Sequence, residues 1–479
     1  MKKLAVILIV LCMMVALASC AGQPTGDASS APPAAESKAE TPDTPETTPD
    51  EEAPAAATGS VLRIYCWNTE FQDRFNAYFA DKMPAGIEVE WVITPNEGNA
   101  YQDKLDQDLP GNEGGDNPID IFLVEADYAL KYVDTEYTLD VKADVGLTDD
   151  DLSQQYQYTK DIVTDSGGAQ KGTTWQACPG LFVYRRSIAK DVLGTDDPVE
   201  VQKALADWDT FDATAAKVVE KGYKMLSGFD DAYRVFANNM SAPWVDADKV
   251  IHIDSNLWRW VKQTKDYYDN GYTNGTSLWS AEWSADQGPD GKVFGFFYST
   301  WGINFTLLGN SLADPDGPKE VGNGIYGDYA VCEGPENWYW GGSWICAARG
   351  SDNLDLVREV MKTITCDAAT MKQITLDTED YTDNMAAMNE LANDPDYGSP
   401  FLAGQNHIAL FAAAAPGIDM SKVGPYDQGL TESFQAAFAD YFRGTVDEQT
   451  ALNNFFTSVQ EKYPALALPP AEEQVPPAA

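Results

Sequence analysis

The chain has 479 residues, 44% hydrophobic and 11% aromatic, enough for two or more domains with a sizeable core. Its 32 basic and 75 acidic side chains give a formal net charge of −43, which excludes the basic surface that nucleic acid or anionic lipid requires. Two distant histidines, His252 and His407, argue against a His-rich metal site or a Ser-His-Asp triad, and no cofactor motif is present.

Met1–Cys20 reads as an export signal, with Lys2 and Lys3 before the apolar run Leu4–Leu17. It ends in Leu17-Ala18-Ser19-Cys20, which resembles the bacterial lipobox and implies lipidation of Cys20; the alternative is a plain secretory signal. Residues 21–60, rich in Ala, Pro, Thr, Ser and Glu and without an aromatic, cannot bury enough surface to fold and read as a disordered tether. Residues 467–479 read as a disordered tail. Cys66, Cys178, Cys332, Cys346 and Cys366 form no disulfide framework and read as small buried hydrophobes, with a Cys332–Cys346 bridge as the alternative.

From Val61 the pattern is globular. Val61–Trp67 predicts a strand, and Thr69 can cap a helix that puts Phe71, Phe75, Tyr78, Phe79 and Met83 on one face before Pro84. Ile87–Ile93 alternates as a strand, Tyr101–Leu109 suits a helix, and the apolar run Ile119–Val124 suits a strand buried on both faces. This order implies parallel βαβ units. Trp175–Arg186 reads as a loop entering a strand, Val199–Glu220 as helical, and Met225–Phe229 as a short strand. Ser255 can cap a helix through Tyr268, and Lys292–Tyr298 is another strand. In Pro335–Arg349, four aromatics surround Gly341-Gly342 ahead of the apolar run Ile345–Ala348, a pattern that suits a crossover between two lobes as well as an ordinary core strand. Ser351 can cap the helix that follows, and Thr445 with Glu448 forms a capping-box pattern before Leu452, Phe455, Phe456 and Val459.

The tether, the opening LRIYCWN, the segment PIDIFLVEAD, KVFGFFYSTWGI and WGGSWICAARGSDN, in that order, resemble the extracellular solute-binding proteins of ABC importers, in the carbohydrate group that includes maltose-binding protein. The resemblance implies an α/β, two-lobed periplasmic-binding-protein-like fold with a hinge and a central cleft. It implies one lobe from 61–174 plus 344–398 and a second from 175–343 plus 399–466. It also implies a monomeric, lipid-anchored protein on the outer face of the cytoplasmic membrane, which hands a carbohydrate to permease subunits and catalyses nothing.

Open α/β sheets bind ligands beyond the carboxyl ends of their strands. Trp67, Asn68 and Glu70 follow the first strand, Glu125 and Asp127 the third, Trp175 and Gln176 precede the crossover strand, Trp301 follows KVFGFFY, and Trp340 and Trp344 flank the glycine pair. Aromatic faces cover the C–H face of a pyranose, while carboxylates and amides take its hydroxyls. Each candidate also has a bland reading: the tryptophans as core, Glu70 and Asp127 as caps or solvated charges. Asp377, Glu379, Asp380 and Asp383 read as a solvated acidic face or a loose cation site. A peptide or polyamine binder of the same fold, a cell-surface glycoside hydrolase and an adhesin remain as alternative functions.

Overall fold

Residues 59–477 are described by the computed structural model; the export signal, Cys20 and all but the end of the tether lie outside the described residues. β1 (Val61–Cys66), α1 (Glu70–Tyr78), β2 (Glu88–Ile93), α2 (Ala100–Asp108) and β3 (Ile121–Glu125) follow one another as the periodicity predicts. β1 lies between β2 and β3 and runs parallel to both. Ile121, Phe122, Leu123 and Val124 are buried, as in a strand covered on both faces, and each contributes about 1.5–3 kcal/mol of burial. α1 buries Phe71 and Phe75. Thr69 makes no capping bond there; Asn68 Oδ1 accepts the Glu70 N–H at 3.0 Å instead.

The chain then passes from β4 (Thr173–Thr174) in this first sheet to β5 (Pro179–Arg185) in a second. The helical stretch expected from Val199 breaks before α3 (Trp208–Glu220), because Asp207 and Thr210 form a capping box there. β6 (Leu226–Gly228), α4 (Tyr233–Asn238), α5 (Ser255–Asp269) and β7 (Thr273–Thr276) follow. Asp254, not Ser255, caps α5. β8 (Gly295–Ser299), β9 (Tyr329–Cys332) and β10 (Trp338–Tyr339) complete the second sheet, in which β5 pairs with all three.

β11 (Ser343–Ala347) returns to the first sheet, antiparallel to β3 and β4. Trp340–Gly342 therefore carry the chain back across the gap that Trp175–Cys178 cross outward. The crossings touch: the Trp340 N–H donates to the Cys178 carbonyl at 3.1 Å. Two sheets joined by adjacent crossings make the two-lobed fold.

α6 (Leu354–Met361), α7 (Asp427–Phe442) and α8 (Glu448–Lys462) complete the helices that matter below. Ser351 does not cap α6; its hydroxyl donates to Asp120. Asp447 rather than Thr445 caps α8, whose Leu452, Phe455, Phe456 and Val459 are buried. Residues 467–477, expected to be disordered, lie along the body: Ala467 accepts from Ile251 and donates to Lys249, and Gln449 donates to the Gln474 carbonyl. The five cysteines of the described residues are free thiols. Among the described residues, no helix is long and apolar enough to cross a membrane.

Candidate functional site

The end of β1 places Trp67, Asn68 and Glu70 at the mouth of a cavity of about 650 Å³. Trp67 packs edge-on against Tyr101 at 5.6 Å. Glu70, in the first turn of α1, lies 3.7 Å from Arg74 one turn on. Glu125, at the end of β3, accepts the Asp127 N–H at 2.8 Å and lines the same cavity.

The two crossings supply the floor. Gln176 Nε2 donates to Glu70 at 3.0 Å and to Asp380 at 2.8 Å. Asp380 also accepts from the Thr300 hydroxyl at 2.7 Å. Gly341 and Gly342 have φ of 79° and 106°, backbone that glycine tolerates. A Cβ on Gly341 would sit 2.9 Å from Trp301 Nε1, and one on Gly342 2.9 Å from the Trp344 ring. The glycine pair thus makes room for two tryptophans.

Beyond β8, Trp301, Asn304 and Phe305 project from a short helical stretch into the cavity. Trp301 Nε1 donates to the Trp340 carbonyl at 2.8 Å. Trp279 lies nearly parallel to Trp301, with ring centroids 6.2 Å apart and 18° between planes. Trp340 meets Trp301 edge-on at 5.1 Å. Trp279 is 54% exposed and Phe305 76%, unusual for rings with no function in solvent. Trp279 also holds φ of 67°, an uncommon conformation for a bulky residue.

A second cavity of about 490 Å³ shares Trp279 and Trp340 with the first. Asp127 lines this one and not the larger. Arg234, on α4, donates to both its oxygens at 2.8 and 2.5 Å, and stands 5.3 Å over the Trp340 ring. Asp127 follows the first sheet and α4 packs on the second, so this ion pair joins the two lobes.

Burial pushes the Glu70 carboxyl up to about 7 despite the opposing charge of Arg74. Burial raises Glu125 as well, and the neighbouring Asp127 charge adds to it. For Asp127 burial acts upward too, but the Arg234 guanidinium outweighs it and holds the carboxyl below the usual range.

Trp67, Asn68, Glu70, Glu125, Gln176, Trp301 and Trp340 thus line the larger cavity together. Trp175 and Trp344 do not. Trp175 is wholly buried and stacks on Phe71 at 5.5 Å; Trp344 is wholly buried and donates to the Thr159 carbonyl at 3.0 Å. Side chains alternate along a strand, so Ser343 faces the cavity and Trp344 the core. Asp380 and Asp383 are 4% and 0% exposed, which corrects the solvated-face reading for both. Trp279, Asn304, Phe305 and Arg234 are cavity residues that the sequence did not disclose.

A profile of the bacterial extracellular solute-binding protein family matches residues 72–398, well over half of the chain. The chain belongs to that family. One similar solved structure is an extracellular solute-binding protein of family 1, with TM-score 0.69 and 17% identity over 84% of this chain and 99% of that one. A second is the galacto-N-biose/lacto-N-biose I-binding protein of a Bifidobacterium longum ABC transporter, in complex with lacto-N-biose, with TM-score 0.64 and 15% identity over 87% and 100%. A third is the GacH receptor of Streptomyces glaucescens, solved unliganded and with acarbose, with TM-score 0.62 and 16% identity over 85% and 99%. At these identities the likeness is one of fold. Comparison with curated protein sequences finds no match.

Proposed function

We propose that this solute-binding protein captures a carbohydrate, an oligosaccharide, in the larger cavity and delivers it to the permease of an ABC importer. One observation carries the reading: Trp279, Trp301 and Phe305 line the same cavity as Asn68, Glu70, Glu125 and Gln176. Apolar rings cover the C–H face of a pyranose, and fixed acceptors on separate elements select its hydroxyls. The sugars bound by the lacto-N-biose-binding protein and by GacH support it.

In this reading Trp67, Asn68, Glu70, Glu125, Gln176, Trp301 and Trp340 contact the ligand, and Asp127 serves lobe closure through Arg234. The lobes are 61–174 plus 344–398 and 175–343 plus 399–466, moving about the paired crossings. The protein works as a monomer, without catalysis, tethered outside the membrane by lipid on Cys20. Cys20→Ala is expected to release the protein into the medium or leave it unprocessed; normal processing with full membrane retention would contradict lipidation.

The test of ligand class is a thermal-shift screen against mono- and oligosaccharides, amino acids, peptides and polyamines. A ligand that binds only the native state stabilises it by about 2.7 kcal/mol at a hundredfold excess over Kd. Stabilisation by a sugar is the expected result; stabilisation by peptides or polyamines with none by any sugar overturns the carbohydrate reading.

A further inference from the structure

We infer that the solute is a chain of at least about three sugar residues, and that those beyond the larger cavity occupy the smaller one, against a polar face of α7. This rests on the carbohydrate reading above and extends it to chain length and to a second set of contacts. The placing of the two cavities is the first observation. On one wall Glu125 lines the larger cavity and Asp127, two residues on, lines the smaller. On the opposite wall Trp279 and Trp340 line both. The cavities therefore adjoin along one cleft, and Trp279, more than half exposed, stands where they meet. A cavity of about 650 Å³ suits a ligand of roughly disaccharide size, and the smaller one, about 490 Å³, has room for further residues.

The second observation is the chemistry of the smaller cavity. On α7, Leu430 and Phe434 are buried, with Phe434 packed 5.9 Å from Trp260. Gln428, Thr431 and Gln435 fall at i, i+3 and i+7 on another face of the helix and line the cavity. The charged groups around them are mostly matched: Asp127 with Arg234, Asp419 with Lys422 at 2.8 Å and Glu432 with Lys462 at 2.8 Å. Asp230 accepts the Leu278 N–H at 3.1 Å. Asp427 has no cation, and burial pushes its carboxyl up to about 7. The amides, by contrast, are free. Among the described residues, the side chains of Gln428 and Gln435 make no hydrogen bond, and Asn238 engages only its oxygen, which accepts the Tyr339 N–H at 2.7 Å. An amide offers donors and an acceptor together, and a sugar hydroxyl is itself both. Matched charges with free amides suit the hydroxyls of a neutral chain better than a charged solute.

The test is isothermal titration of the purified protein with α-1,4-glucose, β-1,4-glucose, β-1,4-xylose and β-1,4-mannose oligomers, each from the disaccharide to the hexasaccharide, and with spermidine and a tripeptide as controls. In a series that binds, affinity is expected to rise at least about tenfold from disaccharide to tetrasaccharide. Gln428→Ala and Gln435→Ala are each expected to lower tetrasaccharide affinity about fivefold and to leave disaccharide affinity within about twofold. Trp301→Ala, in the larger cavity, should weaken both lengths alike. Thermal melts confirm that each variant is folded. Equal affinity for the disaccharide and the tetrasaccharide, or equal losses for both in the α7 variants, overturns the inference and leaves the carbohydrate reading standing. Binding of spermidine or the peptide with no sugar of any length overturns both.

Discussion

Trp301→Ala separates a ligand-stacking ring from a packing ring in one variant. Trp301 is partly exposed; one edge is fixed by its hydrogen bond to the Trp340 carbonyl, and one face lies toward Trp279. Removing a half-buried ring with one hydrogen bond takes away less than the roughly 3–5 kcal/mol lost when a core aromatic becomes alanine. We expect about 1–2 kcal/mol of folding stability, which for a chain this size shifts the melt by no more than about 2–4 °C per kcal/mol. A bound sugar face would lose most of its apolar burial and aromatic contact, about 2–3 kcal/mol. That is roughly 30- to 150-fold in affinity. Trp344→Ala is the control: wholly buried and bonded to the Thr159 carbonyl, it should show the full core destabilisation. Calorimetric titration and thermal melts on both variants decide the matter. If Trp301→Ala is destabilised as severely as Trp344→Ala while its folded fraction binds sugar normally, the stacking assignment is wrong.

Arg234→Met removes the pair that joins the lobes; with its members 25% and 34% exposed, solvent reduces its worth to about 1–2 kcal/mol, a 5- to 30-fold shift toward open forms. Small-angle scattering with ligand should then show a less compact particle than the parent, and an unchanged profile would contradict the latch. Gly341→Ala places a Cβ against Trp301 at a φ that costs L-residues roughly 1–2 kcal/mol, so sugar affinity should fall about tenfold by titration; parent affinity would contradict the fit. Burial pushes the Asp231 and Asp383 carboxyls up from 3.8 to about 7, so the folded state holds protons the unfolded chain releases, and that stability is lost as pH rises through about 7. The melting temperature should therefore rise from about pH 8 to about pH 5.5; a fall across that window would contradict the burial of these two groups.

What could be read in the residues, and what could not, follows from the range of the forces involved. β3, β8 and β11 are short, mostly apolar runs, and such runs declare themselves locally. Trp301 was placed at the cavity by its position just past one of them. Trp344 shows the limit of that rule: one residue along a strand turns a side chain to the other face, and only pairing with β3 and β4 says which face is core. Helix starts slipped where two capping residues stood close, Asp254 beside Ser255 and Asp447 near Thr445, since either type can accept the same N–H. Asp380 looked like part of a solvated cluster because the groups that satisfy it, Gln176 and Thr300, lie 204 and 80 residues away. Arg234 meets Asp127 across 107 residues, and no local pattern marks such a pair.

The most direct test of the account is a crystal structure of the protein with the sugar that gives the largest thermal shift. The account predicts electron density for that sugar in the larger cavity, with a ring face on Trp301 and polar groups on Glu70 and Glu125. Density for the sugar elsewhere on the surface, with the cavity unoccupied, would contradict it.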